Sequence, residues 1–95
     1  MSGTNISASI STQNTFTGAL SVPAEARTSV SVSGTFVATV TLQRRLDGAN
    51  WRDVQTWTGE MEVTYVADES QDLRLGVKTG DYTSGTVTAR LGVGG

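Results

Sequence analysis

The 95-residue chain has no cysteine and no histidine, a single proline, and only two each of Trp, Tyr and Phe. Without cysteine there is neither a disulfide staple nor a thiolate metal site. Without histidine, Ser-His-Asp and Cys-His nucleophile activation, His-ligated zinc and the commonest general base are all excluded. A basic excess is also lacking: the net charge is −2, which argues against nucleic acid as the main partner, because phosphate binding needs a basic surface. No apolar run approaches the length of a membrane span, and the first residues lack a charged segment followed by an apolar one. Synthesis and folding in a cytoplasm are therefore expected, and Asn5-Ile6-Ser7 is read as a chance sequon. No catalytic residue, metal site or cofactor is expected. The length fits one domain, which buries roughly 60–70% of its unfolded surface and is marginal alone. Such a domain often gains stability from a partner or from oligomerisation.

What is present favours β structure. Ser and Thr exceed a quarter of the residues, Val is frequent, and there are eleven glycines. Apolar and polar residues alternate with period two, as in half-buried strands. Val30 and Val32 alternate with serines; Phe36, Ala38, Val40 and Leu42 with Val37, Thr39, Thr41 and Gln43. Met61, Val63 and Tyr65, then Leu73, Leu75 and Val77, then Val87, Ala89, Leu91 and Val93 repeat the pattern. The strands predicted are 19–22, 28–33, 36–46, 51–58, 61–67, 72–78 and 85–93. Turns are predicted at Asp47-Gly48-Ala49-Asn50, at Thr58-Gly59-Glu60, at the acidic loop 67–71 and between Gly80 and Gly85. Ala24–Arg27 is compatible with one helical turn after Pro23. The pattern predicts an all-β fold: a small antiparallel β-sandwich or jelly-roll-like barrel of about six to eight strands. Residues 1–15 carry no charged side chain and form an extended or disordered N-terminal arm, and residues 16–95 form the single β-sandwich domain. If the arm is extended, Ile6, Ala8 and Ile10 share a face that can add to a sheet edge, its own or a neighbour's.

Charge and aromatic residues concentrate in "LQRRLDGANWRDVQTW", Leu42–Trp57. Asp47-Gly48 turns the chain, so the flanking strands run antiparallel. Trp51 and Trp57 are an even number of residues apart, so an unbulged strand places both on one face and Val54 on the other. Core or subunit interface is the expected role of the two rings, with stacking on a sugar as the alternative. Arg44 follows Phe36, Ala38, Val40 and Leu42 in phase; it pairs with a carboxylate such as Asp53 or Asp72, or serves an interface. Glu60 with Glu62, and Asp68, Glu69 and Asp72, are read as solvated turns rather than as acid/base pairs or calcium ligands. The triplets Thr39-Val40-Thr41, Thr56-Trp57-Thr58 and Thr86-Val87-Thr88 lack a fixed spacing and are read as solvent-facing strand residues. The candidate residues for contact with a partner or a neighbouring subunit are Ile6, Ile10, Phe16, Arg44, Trp51 and Trp57.

From Gly34 onward the chain reads "GTFVATVTLQRRLDGANWRDVQTWTGEMEV" and later "LRLGVKTGDYTSGTVTARL". This resembles small β-sandwich virion proteins of tailed bacteriophages, which show a Gly-Thr-Phe strand, a "LQR-x-x-DG-x-x-W-x-x-V" hairpin and a "R-x-x-V-x-x-G-x-Y-x-SG-T-V" ending. The matching residues are Gly34, Phe36, Leu42, Gln43, Arg44, Asp47, Gly48, Trp51, Val54, Arg74, Val77, Gly80, Tyr82, Ser84, Gly85 and Val87. They cover the last two-thirds of the chain and form a signature of strands and turns, with no catalytic motif. The resemblance implies a non-enzymatic virion protein, first of all a capsid decoration (cement) protein. That role implies the major capsid protein as partner, a homotrimer, a place on the capsid surface, and an N-terminal arm that reaches over the capsid or a neighbour. The alternatives are a head fibre, neck or tail component, or a carbohydrate-binding module.

Overall fold

A computed structural model of the chain describes residues 4–46 and 50–93. It is all-β, with nine strands in two antiparallel sheets. The strands are β1 (Thr4–Ile10), β2 (Thr15–Phe16), β3 (Leu20–Val22), β4 (Arg27–Ser33), β5 (Phe36–Arg45), β6 (Arg52–Trp57), β7 (Met61–Val66), β8 (Gln71–Gly85) and β9 (Val87–Val93). One sheet has the order β1-β9-β4-β7; the other has the order β2-β8-β5-β6, with β3 also paired to β8. The result is a slab of 35 × 28 × 17 Å, the small β-sandwich that the alternation predicts.

The alternating apolar residues meet between the sheets. Val30, Val40, Leu42, Leu73, Leu75 and Leu91 are at most 1% exposed. Fully burying a side chain of this kind contributes about 1.5–3 kcal/mol, and these residues come from both sheets, so the same burial joins the layers.

One bent ribbon organises the two sheets. In the four-stranded sheet β4 pairs with β9 up to Ser33↔Thr88, and in the five-stranded sheet β5 pairs with β8 from Phe36↔Gly85. The pairing frame is unchanged across the fold, so a single antiparallel ribbon passes from one sheet to the other. Gly34 (φ 108°) and Gly85 (φ 90°) lie at the bend. A Cβ on Gly34 would lie 2.5 Å from the Thr86 carbonyl oxygen, and one on Gly85 would collide with the Thr35 carbonyl oxygen. Thr86 N donates to Thr35 O at 3.0 Å across the same corner. Glycine is needed at both positions for its backbone freedom and for the close approach.

Residues 4–10 are extended and add to the domain's own sheet edge, paired with β9 from Thr4↔Val93 to Ile10↔Val87, with Ile6, Ala8 and Ile10 on one face toward the core. Three other expectations change. Ile10 is 0% exposed, because its place on the strand points into the core. The span from Gly80 to Gly85 does not end the strand: β8 continues through it as a bulge, with Val40↔Val77 followed by Ala38↔Tyr82 in the β5 ladder. The glycines there do take positive φ, 88° and 90°, but the extra residues are absorbed within the ladder. Pro23–Ala26 forms a reverse turn, not a helical one: Ala26 N donates to Pro23 O at 3.2 Å, and Glu25 has φ 66°. The predicted Asp47-Gly48 turn falls on 47–49, outside the described residues; the flanking β5 and β6 are antiparallel.

Candidate functional site

A polar and aromatic network covers the outer face of the five-stranded sheet. Along β8, Leu73, Leu75 and Val77 point into the core, so Asp72, Arg74, Gly76 and Lys78 take the opposite face. Cross-strand pairing then sets their neighbours. Arg45 stands beside Asp72, Gln43 beside Arg74, and Gln43 beside Asp53 of β6. Each pair interacts. Arg45 donates to Asp72 Oδ2 through Nε at 3.3 Å and Nη2 at 3.0 Å. Arg74 Nε donates to Gln43 Oε1 at 2.7 Å, and Gln43 Nε2 donates to Asp53 Oδ1 at 2.8 Å. Lys78 Nζ reaches over β5 to Asp53 Oδ2 at 2.8 Å. The chain Lys78–Asp53–Gln43–Arg74 thus crosses three strands and fixes the Gln43 amide, with its oxygen toward Arg74 and its nitrogen toward Asp53.

Aromatic rings bracket the arginines. The Arg74 guanidinium carbon lies 4.2 Å from the Phe16 ring centre and 4.4 Å from that of Trp51; Arg45 lies 4.5 Å from Trp51. Each contact is within cation–π range. Phe16 reaches this position because residue 76 is glycine: a Cβ there would fall 2.8 Å from Phe16 Cδ2 and collide with the Thr15 carbonyl. Burial, and secondarily the charge of Arg45, pulls the Arg74 pKa down. The Asp53 carboxyl is held below its ordinary value, chiefly by the hydrogen bond from Gln43 and then by that from Lys78, while Lys78 is shifted upward by Asp53. An open groove of about 270 Å³ runs beside the stack, lined by Asn14, Phe16, Gln43, Arg74, Lys78 and Thr79.

The two tryptophans do not share a face. β6 shifts register against β5 between Leu42 and Gln43, where Leu42↔Gln55 is followed by Gln43↔Asp53. The extra residue, Val54, reverses the phase. Val54 and Trp57 consequently pack on the core, whereas Trp51 lies with Arg45 and Arg74 on the outer face. One ring carries two guanidinium groups and the other rests on the core.

The remaining candidates separate in space. Ile6 is half-buried against the core, and Ile10 lies inside it, so Ile10 has no surface for a partner. Arg44 ends the core face of β5 and pairs with Asp68 at 3.5 Å. Its expected partners are taken, Asp53 by Gln43 and Lys78, and Asp72 by Arg45. Glu60 accepts a hydrogen bond from Gly34 N at 2.9 Å, next to the ribbon bend. Among the described residues no group of three or more His, Cys, Asp or Glu side chains is placed to hold a metal ion. The structure therefore brings together Phe16 and Trp51 from the candidate set and adds Gln43, Arg45, Asp53, Arg74 and Lys78. The sequence signal for Gln43, Arg45, Arg74 and Lys78 is their common phase on β5 and β8, and only the pairing register joins them to one another and to Asp53 of β6.

No family model, curated protein or solved structure matches this chain.

Proposed function

We propose that this protein is a non-enzymatic structural component of a tailed-phage virion, which binds the outer surface of the capsid and stabilises it by bridging capsid subunits. The observation that carries the reading is where the resemblance residues lie. Gly34 and Gly85 form the ribbon bend, while Gln43, Trp51 and Arg74 build the outer-face network. These signature residues thus lie at the bend that joins the two sheets and on the face that carries arginine and aromatic side chains. Arg and Trp are the residue types enriched where proteins dock on one another. The mechanism is additive burial: each copy contributes modest contact area, and the symmetry of the shell multiplies it.

Cosedimentation with expanded heads of the phage that encodes the chain tests this. Saturable binding at a fixed number of copies per head, with a raised temperature of head disruption, is the expected result. Heads that take up no protein would remove the reading.

A further inference from the structure

Among the described residues, the outer face contains one cation without a matching carboxylate. Asp72 is matched to Arg45, and Asp53 to Lys78 and Gln43. Asp81 is a further carboxylate near Lys78. Arg74 is different. Its Nε donates to a neutral amide oxygen, the Arg45 charge acts on it as well as burial, and among the described residues no carboxylate pairs with it. Its two Nη groups make no hydrogen bond among the described residues, and the residue as a whole is only partly buried.

The position of this guanidinium is also fixed. Phe16 and Trp51 hold its faces, and Gln43, itself anchored on Asp53, holds its edge. A bracketed guanidinium loses little rotamer freedom when a ligand arrives, and its planar fork matches the two oxygens of a carboxylate. The adjoining groove offers Arg74 and Lys78, the neutral donors Asn14 and Thr79, and the Phe16 ring, with no carboxylate among its lining residues. Such a lining favours an anion and disfavours a cation.

We propose that the groove beside Phe16, Gln43, Arg74 and Lys78 is a carboxylate-binding site, through which the outer face of the five-stranded sheet docks on an acidic patch of the capsid protein. The identity of the partner rests on the virion reading above; the site itself does not. The occupant is an Asp or Glu side chain on a protein surface, received by the Arg74 Nη groups with Lys78 beside it.

Two measurements separate the site from the partner. In the first, the ¹⁵N-labelled protein is titrated with an acetylated hexaglutamate peptide and, separately, with a thymidine hexanucleotide. The peptide should shift the Arg74 Nε–H and Gln43 side-chain amide signals saturably. Affinity should fall at least tenfold in Arg74→Gln and stay unchanged in Glu62→Gln, on the opposite sheet. No shift, an equal shift in Arg74→Gln, or tighter binding of the oligonucleotide would overturn the proposal. Should Arg74→Gln fail to fold, Lys78→Gln replaces it: a several-fold loss of peptide affinity supports the site, and unchanged affinity overturns it. In the second, head binding is compared between the wild-type protein and the same variants. Heads that ignore a protein whose groove takes the peptide would remove the virion reading and leave the site; heads that bind Arg74→Gln as tightly as wild type would remove this docking face and leave the virion reading.

Discussion

Thr41 has its side chain on the outer face of β5, yet it is 0% exposed and its hydroxyl has no hydrogen-bond partner among the described residues. A buried hydroxyl left unpaired costs about 1–3 kcal/mol of desolvation, and replacing it by an apolar group of the same shape is neutral or stabilising. Thr41→Val should therefore raise stability by about 1 kcal/mol, seen as a higher urea midpoint at unchanged slope. A lower midpoint would mean that the hydroxyl is satisfied after all. Asp53 sets the pH dependence of the same face. Its folded pKa lies below the unfolded value, so its contribution to stability is present above about pH 4 and is lost as pH falls through the folded pKa. Lys78 is shifted the other way by the same carboxylate. Its contribution is present below about pH 10.4 and is lost as pH rises through its folded value. With side chains 42% and 45% exposed, solvent screens the pair and the effect is small. Asp53→Asn should flatten both limbs of the stability–pH curve, and urea unfolding at pH 3, 5, 7 and 11 would show it. An acid limb as steep as that of wild type would assign the dependence to other carboxylates.

Among the elements, the ribbon formed by β4–β5 and β8–β9 is the frame, and its bend is the place where a side chain cannot be accommodated. Gly34→Ala and Gly85→Ala each combine positive φ with a collision against a carbonyl of the opposite strand, so each should cost about 3 kcal/mol or more. Gly59 faces open space, and Gly59→Ala should change stability by less than about 0.5 kcal/mol. Thermal melts of the three variants would test the bend, and equal melting temperatures would contradict it. The strands themselves were legible in the sequence because each buries one face, and period two exposes that directly: β4, β5, β6, β7 and β9 lie within a residue or two of the predicted spans. What was not legible depends on pairing. The turn signal at Gly80–Gly85 cannot tell a strand end from a bulge, because positive φ serves both. Trp51 and Trp57 separate because of one extra residue opposite the Leu42–Gln43 step, which no periodicity within β6 reveals. Ile6, Ala8 and Ile10 marked a face of an extended segment but not which sheet edge takes it, and Ile10 is identified as core only once β1 lies on β9.

At the scale of the whole molecule, the slab has two unlike outer faces. The four-stranded sheet presents mostly small polar residues from β1, β4 and β9, among them Ser7, Ser9, Ser29, Ser31 and Thr88. The five-stranded sheet presents Phe16, Trp51 and three cations on a cross-strand lattice of hydrogen bonds. Resemblance in the sequence pointed to Gln43, Trp51 and Arg74 of the second face without showing that they meet, since Gln43 and Arg74 are joined only by the β5–β8 register. If the protein clamps a shell, that face is the one built to hold a partner. An electron-microscopy map of the virion with this chain located in it tests the account most directly. The account predicts the sandwich on the outer surface of the capsid, at a repeated symmetric position, with the Arg74 groove turned toward an acidic side chain of the capsid protein. Density for the chain in the tail alone, or no density on the head, would contradict it.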